Sequence, residues 1–139
     1  MNRIQGQSFA SQVQVKDLST TKVEYSDHII YLRLKEDAEF TLENTLEQHQ
    51  AQDELTKDQV YAVLVDARNH VSITKESREF MANYANPRRK ATAILMNRNS
   101  AMLIMANFYM KVNKPRIPTK LFNTEEEAVR WLRDMLTKA

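Results

Sequence analysis

Two apolar runs constrain this chain more than anything else in it: Val60-Tyr-Ala-Val-Leu-Val65, closed by Asp66, and Ala91-Thr-Ala-Ile-Leu-Met96, closed by Asn97. A strand with one wet face alternates polar and apolar residues, so a nearly unbroken run predicts a strand covered on both faces. That is the situation of a parallel sheet with helices on either side. Between the runs, Thr74 to Ala85 has helical spacing, with Phe80, Met81 and Tyr84 directed inward and Pro87 ending the helix. Two parallel strands need such a crossover.

The remaining segments extend the alternation. Lys22–Ser26 and His28–Leu34 alternate in the β manner about a turn at Ser26-Asp27, which predicts a hairpin. Thr41 is placed to cap a helix running to about Leu55, with Leu42 and Leu46 one turn apart on its apolar side. Ser100 opens a helix over Ala101–Val112 that is apolar almost all round, and such a helix must be covered on nearly all sides. One face (Met102, Met105, Ala106, Tyr109) and the other (Leu103, Ile104, Phe108) cannot both touch the sheet. The candidates for the second face are the last helix with Trp131 and Met135, a homodimer or protein partner, and a small apolar ligand.

Pro115 and Pro118 bracket an extended segment, Ile117–Phe122, and Thr124-Glu-Glu-Glu127 is a capping box that launches a last helix. The order is β-β-α-β-α-β-α-β-α, an α/β domain whose sheet is mostly parallel with its first strand as an antiparallel edge. Residues 1–21, rich in Gln, Ser and Thr, read as a loosely held arm or an edge strand ahead of a single domain at 22–139.

Composition removes several chemistries. The chain has no Cys, which excludes disulfides, thiolate catalysis and Cys-ligated metal. Its one Gly is Gly6, so neither a Walker loop nor a Gly-x-Gly-x-x-Gly phosphate cradle can be written. His28, His49 and His70 fall on a turn, a helix and a loop without metal-ligand spacing, so no metal and no cofactor is expected. A net charge of +2 from interspersed acids and bases does not predict nucleic-acid binding. The basic clusters Arg88-Arg89-Lys90 and Lys111, Lys114, Arg116, Lys120 lack interleaved aromatics and read as solvated faces. No apolar run approaches the roughly 20 residues of a membrane span, and residues 1–8 lack the core of a secretory signal, so the expected location is the cytoplasm.

The sequence resembles the STAS domains, the fold of bacterial anti-sigma-factor antagonists, and more closely their SpoIIAA-like (STAS/SEC14-like) branch. The residues that carry the resemblance are Tyr61-Ala-Val-Leu-Val-Asp-Ala-Arg68, the Ala101–Val112 helix, and Asn113-Lys-Pro-Arg-Ile-Pro-Thr-Lys-Leu-Phe-Asn-Thr-Glu-Glu-Glu-Ala-Val-Arg-Trp-Leu132. It spans roughly residues 22–137 and implies the same element order, with a non-enzymatic regulatory or protein-interaction role. Its lipid-carrier side implies an apolar pocket beside the helix at 101–112. Anti-sigma antagonists carry a phosphorylatable Ser in an Asp-Ser-Ser-Gly-like turn. This chain has Arg68-Asn-His-Val-Ser-Ile-Thr74 there, without the Gly or the paired Ser, and Ser72 and Thr74 are the nearest hydroxyls.

Two groups of candidate site residues follow. Loops leaving the carboxyl ends of parallel strands converge on one edge, the usual ligand position. That edge collects Asp66, Arg68, Asn69, His70, Asn97, Arg98 and Asn99, together with Glu36, Asp37, Ser100 and Asn123. It suits an anion, although Asn, Asp and Ser equally suit turns and caps. The second group, Met102, Met105, Phe108, Tyr109 and Trp131, is a candidate interface or apolar pocket. No catalytic constellation appears.

Overall fold

The computed structural model describes residues 12–98 and 101–138. Expectations for residues 1–11, Asn99 and Ser100 therefore lie outside the described residues. A six-stranded sheet is built from β1 (Gln14–Asp17), β2 (Thr21–Ser26), β3 (Ile29–Leu34), β5 (Tyr61–Asp66), β7 (Arg89–Leu95) and β8 (Thr119–Phe122), in the order β1-β2-β3-β5-β7-β8. β1, β2 and β3 are antiparallel neighbours, and β3, β5, β7 and β8 are parallel. The helices are α1 (Leu42–Thr56), α2 (Lys75–Asn83), α3 (Ala101–Phe108) and α4 (Glu125–Thr137). The architecture is the one implied by the SpoIIAA-like resemblance. The antiparallel edge is β1, one strand earlier than the hairpin.

The period-2 strands divide the core into two layers. Ala62 and Leu64 of β5 and Ala91, Ala93 and Leu95 of β7 face α4, where Ala128 and Leu132 are fully buried against them. Alanines on both sides let the helix axis come close to the sheet. Tyr61 and Val63 face the opposite layer, which holds α1 and α3. Thr124 caps α4 by accepting the Glu127 N–H at 3.3 Å and donating to its carboxylate at 2.8 Å.

Four local readings are corrected by the tertiary structure. The hairpin turn is Asp27-His28, both with positive φ, rather than Ser26-Asp27. Glu39–Phe40 (β4) and Ser72–Ile73 (β6) form a small parallel pair that a two-residue length hides from any periodicity. Leu42 and Leu46 are 37% and 47% exposed, because α1 turns a different stripe inward: Thr45, Gln48, His49, Gln52 and Thr56. The apolar run ends its α-helix at Phe108 and passes through a π turn over Tyr109–Asn113 before Pro115.

The C-terminal helix does not cover α3. It lies across the sheet, with Trp131 against Phe122 at 5.6 Å between ring centroids. The sheet separates Trp131 from Met102, Met105 and Tyr109. On the outer side of α3, Ile104 is 77% exposed, and Phe108 and Val112 are also open.

Candidate functional site

The loop edge at the carboxyl ends of β3 and β5 is closed by its own ions. Arg68 folds back on Asp66 with two parallel bonds of 2.8 Å, from Nε to Oδ1 and from Nη2 to Oδ2. Arg33 donates to Asp66 at 3.0 Å, to both oxygens of Glu125 at 2.7 and 3.2 Å, and to Glu24 at 3.3 Å. Burial pushes the Asp66 carboxyl up, but Arg68 and Arg33 outweigh it and hold the group below the usual carboxylate range. The network ties the first residue of α4 to the sheet. Arg33, Glu24 and Glu125 were not singled out from the sequence, since they are far from Asp66 along the chain.

Two asparagines of this edge brace the backbone. Asn69 Nδ2 donates to the Leu34 carbonyl and Asn97 Nδ2 to that of Arg68, each at 3.0 Å. The Glu36 carboxylate accepts the His70 N–H at 2.8 Å. Arg98 is exposed. Ser72 is exposed in β6, where its N–H is bonded to the Ala38 carbonyl, and Thr74 caps α2 by accepting the Ser77 N–H at 3.2 Å. Ser72 thus sits in a two-residue strand and Thr74 at a helix cap.

On the opposite side of the sheet lies a cleft of about 110 Å³. Val65, Thr92 and Ile94 form its floor and stay only half-buried although their strands are central. Its walls come from α1 (Gln48, His49, Gln52), α2 (Arg78, Met81), and the α3 region (Met102, Met105, Ala106, Tyr109). An engineered, fully enclosed apolar cavity of about 150 Å³ binds benzene; this cleft is somewhat smaller but open on one side, which puts it on the scale of a short chain or a single small ring. Of the second sequence group, Met102, Met105 and Tyr109 meet here. Phe108 faces outward beneath the Arg78 guanidinium, 5.8 Å from its ring centroid.

The polar end of the cleft was missed by sequence reasoning. Arg89, expected on a solvated face, is half-buried and donates to Gln52 Oε1 at 2.6 Å and toward His49 Nε2 at 3.4 Å. Its guanidinium lies over Tyr84 at 4.7 Å and near the Tyr61 ring at 5.8 Å. His49 Nδ1 is 3.0 Å from the Thr45 carbonyl, which can only accept. The ring proton is therefore on Nδ1, and the Nε2 lone pair faces Arg89. Burial, with Arg89 adding to it, pulls the His49 pKa down to about 4. Burial likewise lifts the Tyr109 hydroxyl to about 12, against the pull of Arg89. The available signal was in α1, where neutral polar residues at 45, 48, 49, 52 and 56 follow the helical period that apolar residues ordinarily follow.

Among the described residues, no three or more His, Asp or Glu side chains are grouped to hold a metal ion. Nor is any described helix long and apolar enough to cross a membrane.

The molecule is thus an α/β domain with one sheet face sealed by α4 and the other hollowed beneath α1, α2 and α3. The chain belongs to the DUF7793 family, a domain of unknown function whose model matches residues 23–136. No curated protein matches it significantly. Among solved structures it is similar to an uncharacterized protein of the DUF3478 family with a SpoIIAA-like fold from Shewanella loihica PV-4. The identity is 11%, over 92% of this chain and 98% of that one, with a TM-score of 0.48.

Proposed function

We propose that this protein is a non-enzymatic binding module that takes a small, largely apolar molecule into the cleft beneath α3. The observation that carries the reading is the cleft itself, floored by half-buried residues of central strands and lined largely by apolar side chains. Met81, Met96, Met102 and Met105 border it, and unbranched thioethers adapt to varied apolar shapes. Native mass spectrometry of protein purified from its host should show retained small-molecule mass, and a set of single-ring and short-chain compounds should raise its melting temperature. Ala106→Phe, which fills the cleft, should abolish both effects. A protein that neither retains nor is stabilised by any such compound would remove the proposal.

A second reading, that of a regulatory interaction module, rests on Ile104, Phe108 and Val112, which repeat at helical spacing on the outer side of the α3 region and are all exposed. It predicts a concentration-dependent increase in mass by light scattering that Ile104→Asp eliminates. A strict monomer at all concentrations, capturing no partner, contradicts it.

A further inference from the structure

The buried side-chain atoms of the cleft that lack a partner, Gln52 Nε2 and Arg78 Nε, are both donors. Arg78 and Arg89 bring two guanidinium groups to a wall otherwise rich in Leu, Ile and Met, and among the described residues neither forms an ion pair. Arg89 is held by neutral partners alone: the Gln52 carbonyl oxygen, the His49 lone pair, and the faces and hydroxyl of the surrounding tyrosines. Arg78 donates Nη1 to the Ile73 carbonyl at 2.8 Å, while its buried Nε has no partner. Gln52 is 1% exposed, and because its Oε1 is turned to Arg89, its Nε2 is left buried with no acceptor. The Tyr109 hydroxyl also has no hydrogen-bond partner among the described residues.

These unmet needs define the missing partner. A wholly apolar occupant would leave Gln52 and the arginines as they are, and a cation would be repelled by both guanidiniums. An ionised carboxylate only accepts, through two oxygens. Its bonds from a guanidinium are charge-assisted and can be paired, and they strengthen where water is excluded. The remaining wall, Ile94, Met102 and Met105, asks for hydrocarbon.

We propose that the cleft accommodates a small monocarboxylate, with its carboxylate on Arg89 and the Gln52 amide and its aliphatic or single-ring body against Ile94, Met102 and Met105. This rests on reading the cleft as a small-molecule site and adds the class of molecule. Arg78 contributes positive potential from the α2 side. His49, kept neutral by burial and by the neighbouring Arg89 charge and fixed in its tautomer by the Thr45 carbonyl, orients Arg89 without competing for the anion.

The test is calorimetric titration of the full chain at pH 7.5 with hexanoate and benzoate, each beside its uncharged counterpart, hexanol and benzyl alcohol. The acids should bind at least about tenfold more tightly than the alcohols, as a charge-assisted head group requires. In Arg89→Met, with folding verified by its melting curve, that preference should fall to within about threefold while alcohol binding is retained. Arg89→Lys, which keeps the charge without the fork, should be intermediate and serves if the Met variant does not fold. Equal binding of acids and alcohols overturns the carboxylate assignment and leaves the cleft reading standing. A preference that survives both Arg89 variants also overturns it. Binding of none of the four compounds removes this proposal together with the reading on which it rests.

Discussion

Both sides of the sheet carry arginines at their margins, and the two sets are treated in opposite ways. At the β3–β5 edge, Arg33 and Arg68 face Asp66, Glu125 and Glu24, and each guanidinium is matched by carboxylates. In the cleft, Arg78 and Arg89 face carbonyls, an imidazole and aromatic rings. The first set joins α4 to the sheet. The second leaves positive charge and hydrogen-bond donors directed at a hydrocarbon wall. Charged residues at strand ends are therefore a poor guide by themselves, since what separates the two margins is whether the counter-charge is already inside the protein.

Substitutions can break this contrast. Arg33→Met should have the largest effect, because it strips the shared cation from three carboxylates; with Arg68 still on Asp66 and the network part-exposed, we expect a loss of about 2.5 kcal/mol in urea unfolding, below the roughly 3–5 kcal/mol of a fully buried pair. The cleft should reveal itself next, through pH. His49 is held neutral in the fold with a pKa of about 4, below its ordinary 6.5. Between those values the unfolded chain binds a proton that the folded chain refuses, so stability falls as pH drops from 6.5 toward 4. Full stability is present above 6.5. The loss from pH 7.5 to 5 should be about 2 kcal/mol, and His49→Gln should remove that component from the pH profile of urea unfolding.

Glu125→Gln should cost about 1 kcal/mol, because Arg33 keeps Asp66 and Glu24 and the lost pair is part-exposed; the penalty should shrink in high salt. Arg89→Met should have the smallest effect, under about 1 kcal/mol, since no carboxylate is orphaned and relief of an unpaired, half-buried charge offsets the donors lost to Gln52 Oε1 and His49 Nε2. A loss for Arg89→Met as large as that for Arg33→Met would show that the cleft arginine is structural, and would erase the contrast between the two margins.

The strands and helices were legible because their periods are long enough to read. Tyr61–Asp66 and Arg89–Leu95 stand where the apolar runs place them, Thr41 and Thr124 cap their helices, and Pro115 follows the end of the α3 region. What escaped was short or inverted. The β4–β6 pair is two residues long, and α1 turns Thr, Gln and His inward where an amphipathic reading looks for Leu. The candidate site divided in the same way. Met102, Met105 and Tyr109 were recognised by their hydrophobicity, whereas Gln52, Arg78 and Arg89 look like ordinary surface residues until α1, α2 and β7 enclose them.

By itself the sequence determined the class of the domain: an α/β alternation with two strands covered on both faces, and no thiol or glycine-loop chemistry. Those are local properties, set by spacing and by which side chains exist. Only the tertiary structure decided that α4 and α3 lie on opposite sides of the sheet, that Asp66 is already neutralised, and that α3 stands over a hollow instead of filled core. Each of these depends on which face of an element meets which neighbour. Residues distant along the chain set that outcome, by competing to bury apolar surface and to pair charge.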